Sequence, residues 1–116
     1  MTRFRLVYAA FPAPADVVGG FTFRFPSGRT SILINTLKSR EDQIRILKHE
    51  LSHILLGHLD DDRTSGYLSY LHNHPDIEDD ANRRADQMTD EELADLMTYQ
   101  TGAAVYCSWE QVGDCL

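Results

Sequence analysis

The chain has 116 residues and 42% apolar side chains, enough for one compact core and too few for two, so we predict a single domain over residues 1–116. Eighteen acidic and eleven basic side chains give a formal net charge of -7. This charge argues against nucleic acid or an anionic membrane as the main partner, since both favour clustered Lys and Arg. No apolar run approaches the roughly 18 residues of a membrane-spanning helix.

Cysteine usage and the N-terminus predict a cytoplasmic protein. Cys107 and Cys115 are too few for a disulfide scaffold and are not spaced as a zinc knuckle. Free thiols are therefore expected, with a Cys107–Cys115 bridge as the alternative. The first residues are interrupted by Pro12 and Pro14 and lack the apolar stretch of a signal peptide.

The first third of the chain has the alternating pattern of short β-strands. Alternation is seen in a first segment at Phe4, Leu6 and Tyr8, and in a second at Phe21, Phe23 and Phe25. We assign the three phenylalanines of the second segment to the core. Residues 26–29 have the composition of a hairpin loop. The returning strand, Thr30 to Asn35, is apolar on both faces, which predicts that a helix packs on it.

The chain from Ser39 to Gly102 is predicted to be helical, with one long loop, and no structure is assigned to the tail from Ala103 to Leu116. Ser39 is suited to cap a helix whose apolar residues recur at three- and four-residue steps until Gly57. Residues 58–76 are polar and predict mostly loop. A second helix is expected from Ile77 to Met88. Thr89 and Glu92 form a capping box, which predicts a third helix that ends at Gly102.

The first helix contains the chemically informative motif His49-Glu50-Leu51-Ser52-His53, an H-E-x-x-H pattern. Residues four apart lie on one side of a helix about one turn apart, so His49 and His53 can occupy two corners of a tetrahedral zinc site. Glu50 is turned too far around the helix to ligate comfortably. It is suited to accept a proton from the attacking water, which makes it the predicted general base.

A hydrolytic zinc site needs a third protein ligand. The extended pattern H-E-x-x-H-x-x-G-x-x-H fails, because Leu56 and Leu59 stand where Gly and His are required. We therefore interpret His58 as a helix-end residue. The third ligand is then expected to be a carboxylate from a later helix, and the candidates are Asp76, Glu78, Asp79 and Asp80.

The motif together with the segment Glu78-Asp79-Asp80-Ala81-Asn82-Arg83-Arg84-Ala85 resembles the ImmA/IrrE metallopeptidases, whose pattern is H-E-x-x-H followed by E-x-x-A-[ND]-x-x-A. The resemblance covers roughly residues 20 to 100 and implies Glu78 as the third zinc ligand. It also implies a zinc-dependent endopeptidase whose protein or peptide substrate is a regulatory protein, such as a repressor of a mobile element. Asn82 is a candidate hydrogen-bonding partner of the site.

These observations together predict an α+β, zincin-like fold, with a small antiparallel sheet packed on the H-E-x-x-H helix and two or three further helices. The expected cofactor is Zn2+, held by His49, His53 and Glu78, with Glu50 catalytic. Stabilisation of the oxyanion or contact with the substrate is assigned to one of Tyr67, Tyr70, His72 and His74. The strand from Thr30 to Asn35 is a candidate edge for pairing with an extended substrate. The alternative function is a zinc-binding regulatory module of the same fold that does not cleave.

Overall fold

The computed structural model describes residues 1–60 and 75–116, which form a four-stranded mixed sheet with helices on both faces. The strands are β1 (Arg5–Ala9), β2 (Gly20–Arg24), β3 (Thr30–Asn35) and β4 (Val105–Tyr106), in the spatial order β2-β3-β1-β4. β2 is antiparallel to β3, whereas β1 is parallel to both β3 and β4. The predicted α+β class is confirmed.

The prediction of an antiparallel sheet was wrong for two of the three strand pairs. After β1, the chain crosses through residues 10–19 and enters β2 at the edge of the sheet. The hairpin at residues 25–29 then reverses the chain again, so β3 runs in the same direction as β1 and pairs with it. The alternation of side chains predicts strands but does not encode which strands become neighbours.

β3 is a central strand, and its predicted role as a substrate edge was therefore wrong. It lies between β2 and β1, and all six of its residues are buried. The apolar character of both its faces, which predicted a helix on one side, reflects a strand that is covered on both sides. The edge of the sheet on this side is β2.

In the described part of the chain, four α-helices accompany the sheet: α1 (Arg40–Leu55), α2 (Pro75–Gln87), α3 (Asp90–Met97) and α4 (Val112–Cys115). The predicted N-caps are confirmed, because the Ser39 hydroxyl accepts from the Asp42 N–H at 3.1 Å and the Thr89 hydroxyl accepts from the Glu92 N–H at 3.1 Å. The Glu92 side chain, which a capping box would return to the Thr89 N–H, pairs with Arg84. α3 ends at Met97, before the predicted Gly102. α2 begins two residues earlier than predicted, with Pro75 in its first turn, where a missing N–H costs nothing.

The sheet has a different core on each face. On one face, α1 packs its leucines and isoleucines on β1 and β3, in a cluster that includes Leu6, Ile32, Ile34, Leu47, Leu51 and Ile54. We call this the helix face. On the opposite face, Val7, Ala9, Phe11 and Leu33 are buried beneath partly buried aromatic and C-terminal residues, including Phe21, Phe23 and Trp109. We call this the aromatic face.

The register of β2 decides which of its residues point into the helix face. Thr22 lies opposite Ile32, and Phe21 lies opposite Leu33. Thr22 is therefore completely buried toward α1, whereas Phe21 and Phe23 are half-buried on the aromatic face. Phe25 lies beyond the end of the strand, where the Arg29 guanidinium sits 4.7 Å from its ring centroid. Phe21 and Phe23 thus pack against the second core rather than the core around α1, whereas the assignment of Phe25 to the core was wrong, because it belongs to neither cluster.

The C-terminal segment covers the aromatic face. Short 3-10 helices at Ala15–Val17 and Trp109–Gln111 flank this face, and α4 follows the second of them. Cys107 and Cys115 are free thiols that pack against the same cluster. Within residues 1–60 and 75–116, no helix combines the length and apolar character needed to cross a bilayer.

Candidate metal centre

The second half of α1 positions the H-E-x-x-H side chains against the sheet. His49 and His53 are one helical turn apart, and their Nε2 atoms lie 3.1 Å from each other. His53 is completely buried and Glu50 is 2% exposed, whereas His49 is partly open to solvent. The two imidazoles meet at nearly a right angle, with ring centroids 4.7 Å apart. Both rings therefore direct the same nitrogen toward a common point.

α2 brings the carboxylate of Glu78 to that point. Its Oε2 lies 2.9 Å from Nε2 of His49, and its Oε1 lies 3.5 Å from Nε2 of His53. α2 packs directly on α1, and its two buried residues are Ala81 and Ile77, of which Ile77 contacts Phe21 of β2. The small Ala81 allows close approach of the two helices, and Glu78, between these two residues, reaches the imidazoles.

The three donor groups fit a tetrahedral zinc ion. With bond lengths of about 2.0–2.1 Å, two ligand atoms of a tetrahedral site are separated by about 3.3 Å. The three separations here are 2.9, 3.1 and 3.5 Å. Two imidazoles and one carboxylate form a donor set that leaves one position open for water or substrate. Metal binding requires that the donor atoms of the three side chains converge, as they do here. The assignment of His49, His53 and Glu78 as ligands stays a prediction.

Glu50 is the other carboxylate near the imidazoles, and its environment differs from that of Glu78. His49, Glu50 and His53 offer candidate ligand atoms within 4.8 Å of one another. The Glu50 Oε1 accepts a hydrogen bond from the Thr22 hydroxyl at 3.4 Å, from the neighbouring edge strand. Glu78, in contrast, contacts both Nε2 atoms. The geometry thus favours Glu78 as ligand and leaves Glu50 beside the site.

The pKa values of the two carboxyl groups, Glu50 and Glu78, are shifted in opposite directions. Burial raises the pKa of Glu50 to about 8, although His49 and the Thr22 hydrogen bond oppose this rise. Burial also favours the neutral form of Glu78, but hydrogen bonds to His49 and His53 outweigh it and hold the pKa of Glu78 well below its ordinary value. Glu78 is therefore kept ionised, as a ligand must be, whereas Glu50 readily takes up a proton.

The two imidazoles also differ in their surroundings. Burial lowers the pKa of His53 below its ordinary value, more than the Glu78 hydrogen bond raises it. Burial acts in the same direction on His49, but Glu78, Glu50 and a hydrogen bond to Asn82 raise the pKa of His49 above its ordinary value. Asn82, the candidate partner of the site, thus contacts His49. The neutral form of His53 is the form in which an imidazole binds a metal.

A cleft of about 410 Å³ opens beside these residues. Its lining includes the polar residues His49, Glu50, Glu78 and Asn82, the apolar residues Val17, Val18 and Ile46, and Arg45. Gly20 of the edge strand also borders the cleft, and a Cβ there would lie 2.7 Å from the Leu33 carbonyl oxygen. The cleft thus borders both the candidate metal ligands and the edge strand β2.

The other carboxylates proposed from the sequence point elsewhere or are exposed. Asp79 and Asp80 lie on the exposed side of α2, and Asp80 accepts from Arg83 at 3.3 Å. Asp76 is exposed in the first turn of α2. The predicted oxyanion or substrate residues, Tyr67, Tyr70, His72 and His74, lie outside the described residues.

Two residues at the site were not assigned a role from the sequence. Thr22 lies between two phenylalanines of the second predicted strand, and His58 was interpreted as a helix-end residue. His58 is buried, at 8% exposure, and its Nδ1 lies 2.9 Å from Nδ1 of His53. The sequence contained one signal for Thr22. A polar residue between phenylalanines faces the opposite side of the strand, which indicates that this side has a different environment.

Comparison with known proteins supports the resemblance noted in the sequence. The family model Peptidase_M78, described as the IrrE N-terminal-like domain, matches residues 9–94, a range that includes α1, α2 and all of β2 and β3. No curated protein matches the chain. No solved structure matches it.

Proposed function

The chain belongs to the Peptidase_M78 family of IrrE N-terminal-like domains, and on that premise we propose that it is a zinc-dependent endopeptidase that cleaves a protein or peptide substrate. The observation that carries the proposal is the convergence of three donor groups, from His49, His53 and Glu78, beside a separate buried carboxylate, Glu50, in an open cleft. A ligand set and a distinct proton acceptor are the two parts that metal-assisted hydrolysis needs.

The residues divide the work of peptide hydrolysis between them. Zinc held by His49, His53 and Glu78 would lower the pKa of water and polarise the scissile carbonyl. Glu50 accepts the proton of the attacking water and then delivers it to the leaving amine. The Thr22 hydroxyl holds the Glu50 carboxylate in place at 3.4 Å.

The edge strand β2 supports the choice of an extended polypeptide as substrate. Gly20 of β2 borders the same cleft as Glu50, and an extended chain can pair with the outer edge of a sheet. β2 takes the role that the sequence had assigned to β3. The net charge of -7 supports a protein partner without direct contact to nucleic acid or membrane. The family resemblance points to regulatory proteins, including repressors of mobile elements, as substrates.

A second candidate function is a zinc-binding regulatory module that does not cleave. The observation that favours it is the near-complete burial of Glu50, at 2% exposure. A carboxylate held by Thr22 and enclosed in this way also suits a purely structural partner of the imidazoles. The two functions share the metal and differ in what Glu50 does.

The first test is for the metal. Protein purified without added metal is analysed by inductively coupled plasma mass spectrometry, and we expect one zinc per chain. His53→Ala is expected to lose the zinc and to lower the melting temperature. Absence of zinc, together with an unchanged melting temperature in His53→Ala, would exclude both functions.

The second test separates cleavage from binding. Candidate regulatory proteins are incubated with the wild type, with Glu50→Gln, and with Glu110→Gln as a matched control on an exposed residue. We expect the cleavage rate to fall by about 10²–10⁴-fold in Glu50→Gln only, because the proton acceptor is lost while the ligands stay. Identical band patterns for the wild type and Glu50→Gln would favour the non-cleaving module.

A further inference from the structure

His53 has polar neighbours on both sides of its ring. Its Nε2 faces His49 and Glu78, at 3.1 and 3.5 Å. Its Nδ1 lies 2.9 Å from Nδ1 of His58, with the two rings tilted by 59°. His58 therefore stands behind the ring, on the side away from the converging donor atoms, and does not share the site as a ligand.

The contact between His53 and His58 determines which ring nitrogen of each histidine carries the hydrogen. A neutral imidazole that binds a metal through Nε2 carries its hydrogen on Nδ1. His53 is completely buried, so this N–H requires a hydrogen-bond acceptor inside the protein. The Nδ1 of His58, at 2.9 Å, is in position to accept, which requires the hydrogen of His58 to be on its own Nε2.

The chain following α1 positions His58 through a tight turn. Gly57 has φ of 72°, in the left-handed region, and turns the chain so that His58 begins a 3-10 helix at His58–Asp60. The Asp60 N–H closes this turn by donating to the Gly57 carbonyl at 3.0 Å. Leu59, 5% exposed, enters the helix-face core, and Asp60 pairs with Arg24 of β2. His58 is thus followed directly by two anchored residues, Leu59 and Asp60.

We propose that His58 is a positioning residue, which accepts the Nδ1–H of His53 and thereby holds His53 in the orientation and tautomer that bind a metal through Nε2. The inference rests on the proposed metal binding by His53. Metal-ligating histidines commonly donate their second N–H to a carboxylate, carbonyl or water, and loss of such a partner weakens metal binding by about 10–100-fold. Here a second histidine occupies that place, just as Asn82 contacts His49.

The experiment compares two variants of similar size that differ in the acceptor. His58→Asn retains a side-chain oxygen near the position of Nδ1, whereas His58→Leu has no acceptor. Zinc affinity is measured by competition with a chromophoric chelator. We expect His58→Leu to bind zinc about 10–100-fold more weakly than the wild type, with His58→Asn recovering most of the loss. The visible spectrum of the Co2+-loaded protein is expected to change in His58→Leu and to be retained in His58→Asn.

Three outcomes would overturn the inference. One is zinc affinity in His58→Leu within twofold of the wild type. Another is equal weakening in His58→Asn and His58→Leu, which would indicate that the imidazole fills space rather than accepting a hydrogen bond. The third is independent of the folding of either variant: ¹⁵N NMR of zinc-loaded wild type should show His53 protonated at Nδ1 and His58 unprotonated at Nδ1, and the reverse would contradict the inference.

Zinc binding by the wild type and by His58→Leu also separates a failure of this inference from a failure of the proposed function. If the wild type binds no zinc, the proposed function fails and the role of His58 fails with it. If the wild type binds zinc and cleaves a substrate while His58→Leu retains full zinc affinity, only the role of His58 is overturned.

Discussion

The two faces of the sheet are built from the same strands but contain different kinds of core. On the helix face, Thr22, Glu50, His53 and His58 are buried among leucine and isoleucine side chains. On the aromatic face, Phe11 packs against Phe21 and Trp109, with ring centroids 5.8 and 5.2 Å apart. Buried polar groups lower stability unless they are paired, whereas aromatic packing raises it. The aromatic face therefore stabilises a sheet whose other face contains the candidate site.

The alternation of side chains along β2 separates the two environments. Thr22 points toward Glu50, while its neighbours Phe21 and Phe23 pack on the aromatic face. A shift of register by one residue would exchange the two sets and place an aromatic ring against the Glu50 carboxylate. The pairing of Thr22 with Ile32 therefore serves both the fold and the site.

The largest effect is expected from Phe11→Ala on the aromatic face. Phe11 is 1% exposed, so its removal leaves a cavity and should lower the free energy of unfolding by about 3–5 kcal/mol. Urea denaturation measures this loss. Zinc content per folded chain should not change, because Phe11 lies across the sheet from the site. A loss of zinc from the folded variant would show that the two faces are not independent.

A smaller effect is expected from Thr22→Val on the helix face. Valine keeps the shape of threonine but cannot donate to Glu50, so the cleavage rate should fall by about tenfold while zinc affinity stays the same. The matched control is Thr30→Val. Thr30 is buried on the same face, and its hydroxyl has no hydrogen-bond partner among the described residues. Equal rates for the two variants would contradict a role for Thr22 in positioning Glu50.

The smallest effect concerns the thiols of the aromatic face. Burial and the hydrogen bond with Cys115 raise the pKa of Cys107 to about 11, so little thiolate is present at pH 8. In Cys115→Ala the pKa of Cys107 should decrease, and its alkylation by iodoacetamide at pH 8 should become several-fold faster. Peptide mass spectrometry measures labelling at Cys107 alone. An unchanged rate would show that Cys115 does not influence its neighbour.

Local features of this protein were predictable from the sequence. The caps at Ser39 and Thr89, the placement of His49 and His53 on one side of a helix, and the α+β class all follow from residues close together in the chain. The end of α3 was misplaced, because the chain leaves the helix at Met97 in a series of turns whose residues lack a strong stop signal before Gly102.

Only the tertiary structure decided the features that join distant parts of the chain. The sequence alone left four carboxylates open as the third ligand, and packing of α2 on α1 through Ala81 brings Glu78 to the imidazoles. The central position of β3 and the contact of Thr22 with Glu50 likewise depend on strand order and register. The physical reason is that helix geometry and capping depend on neighbours within one turn, whereas these contacts depend on how separate elements pack together.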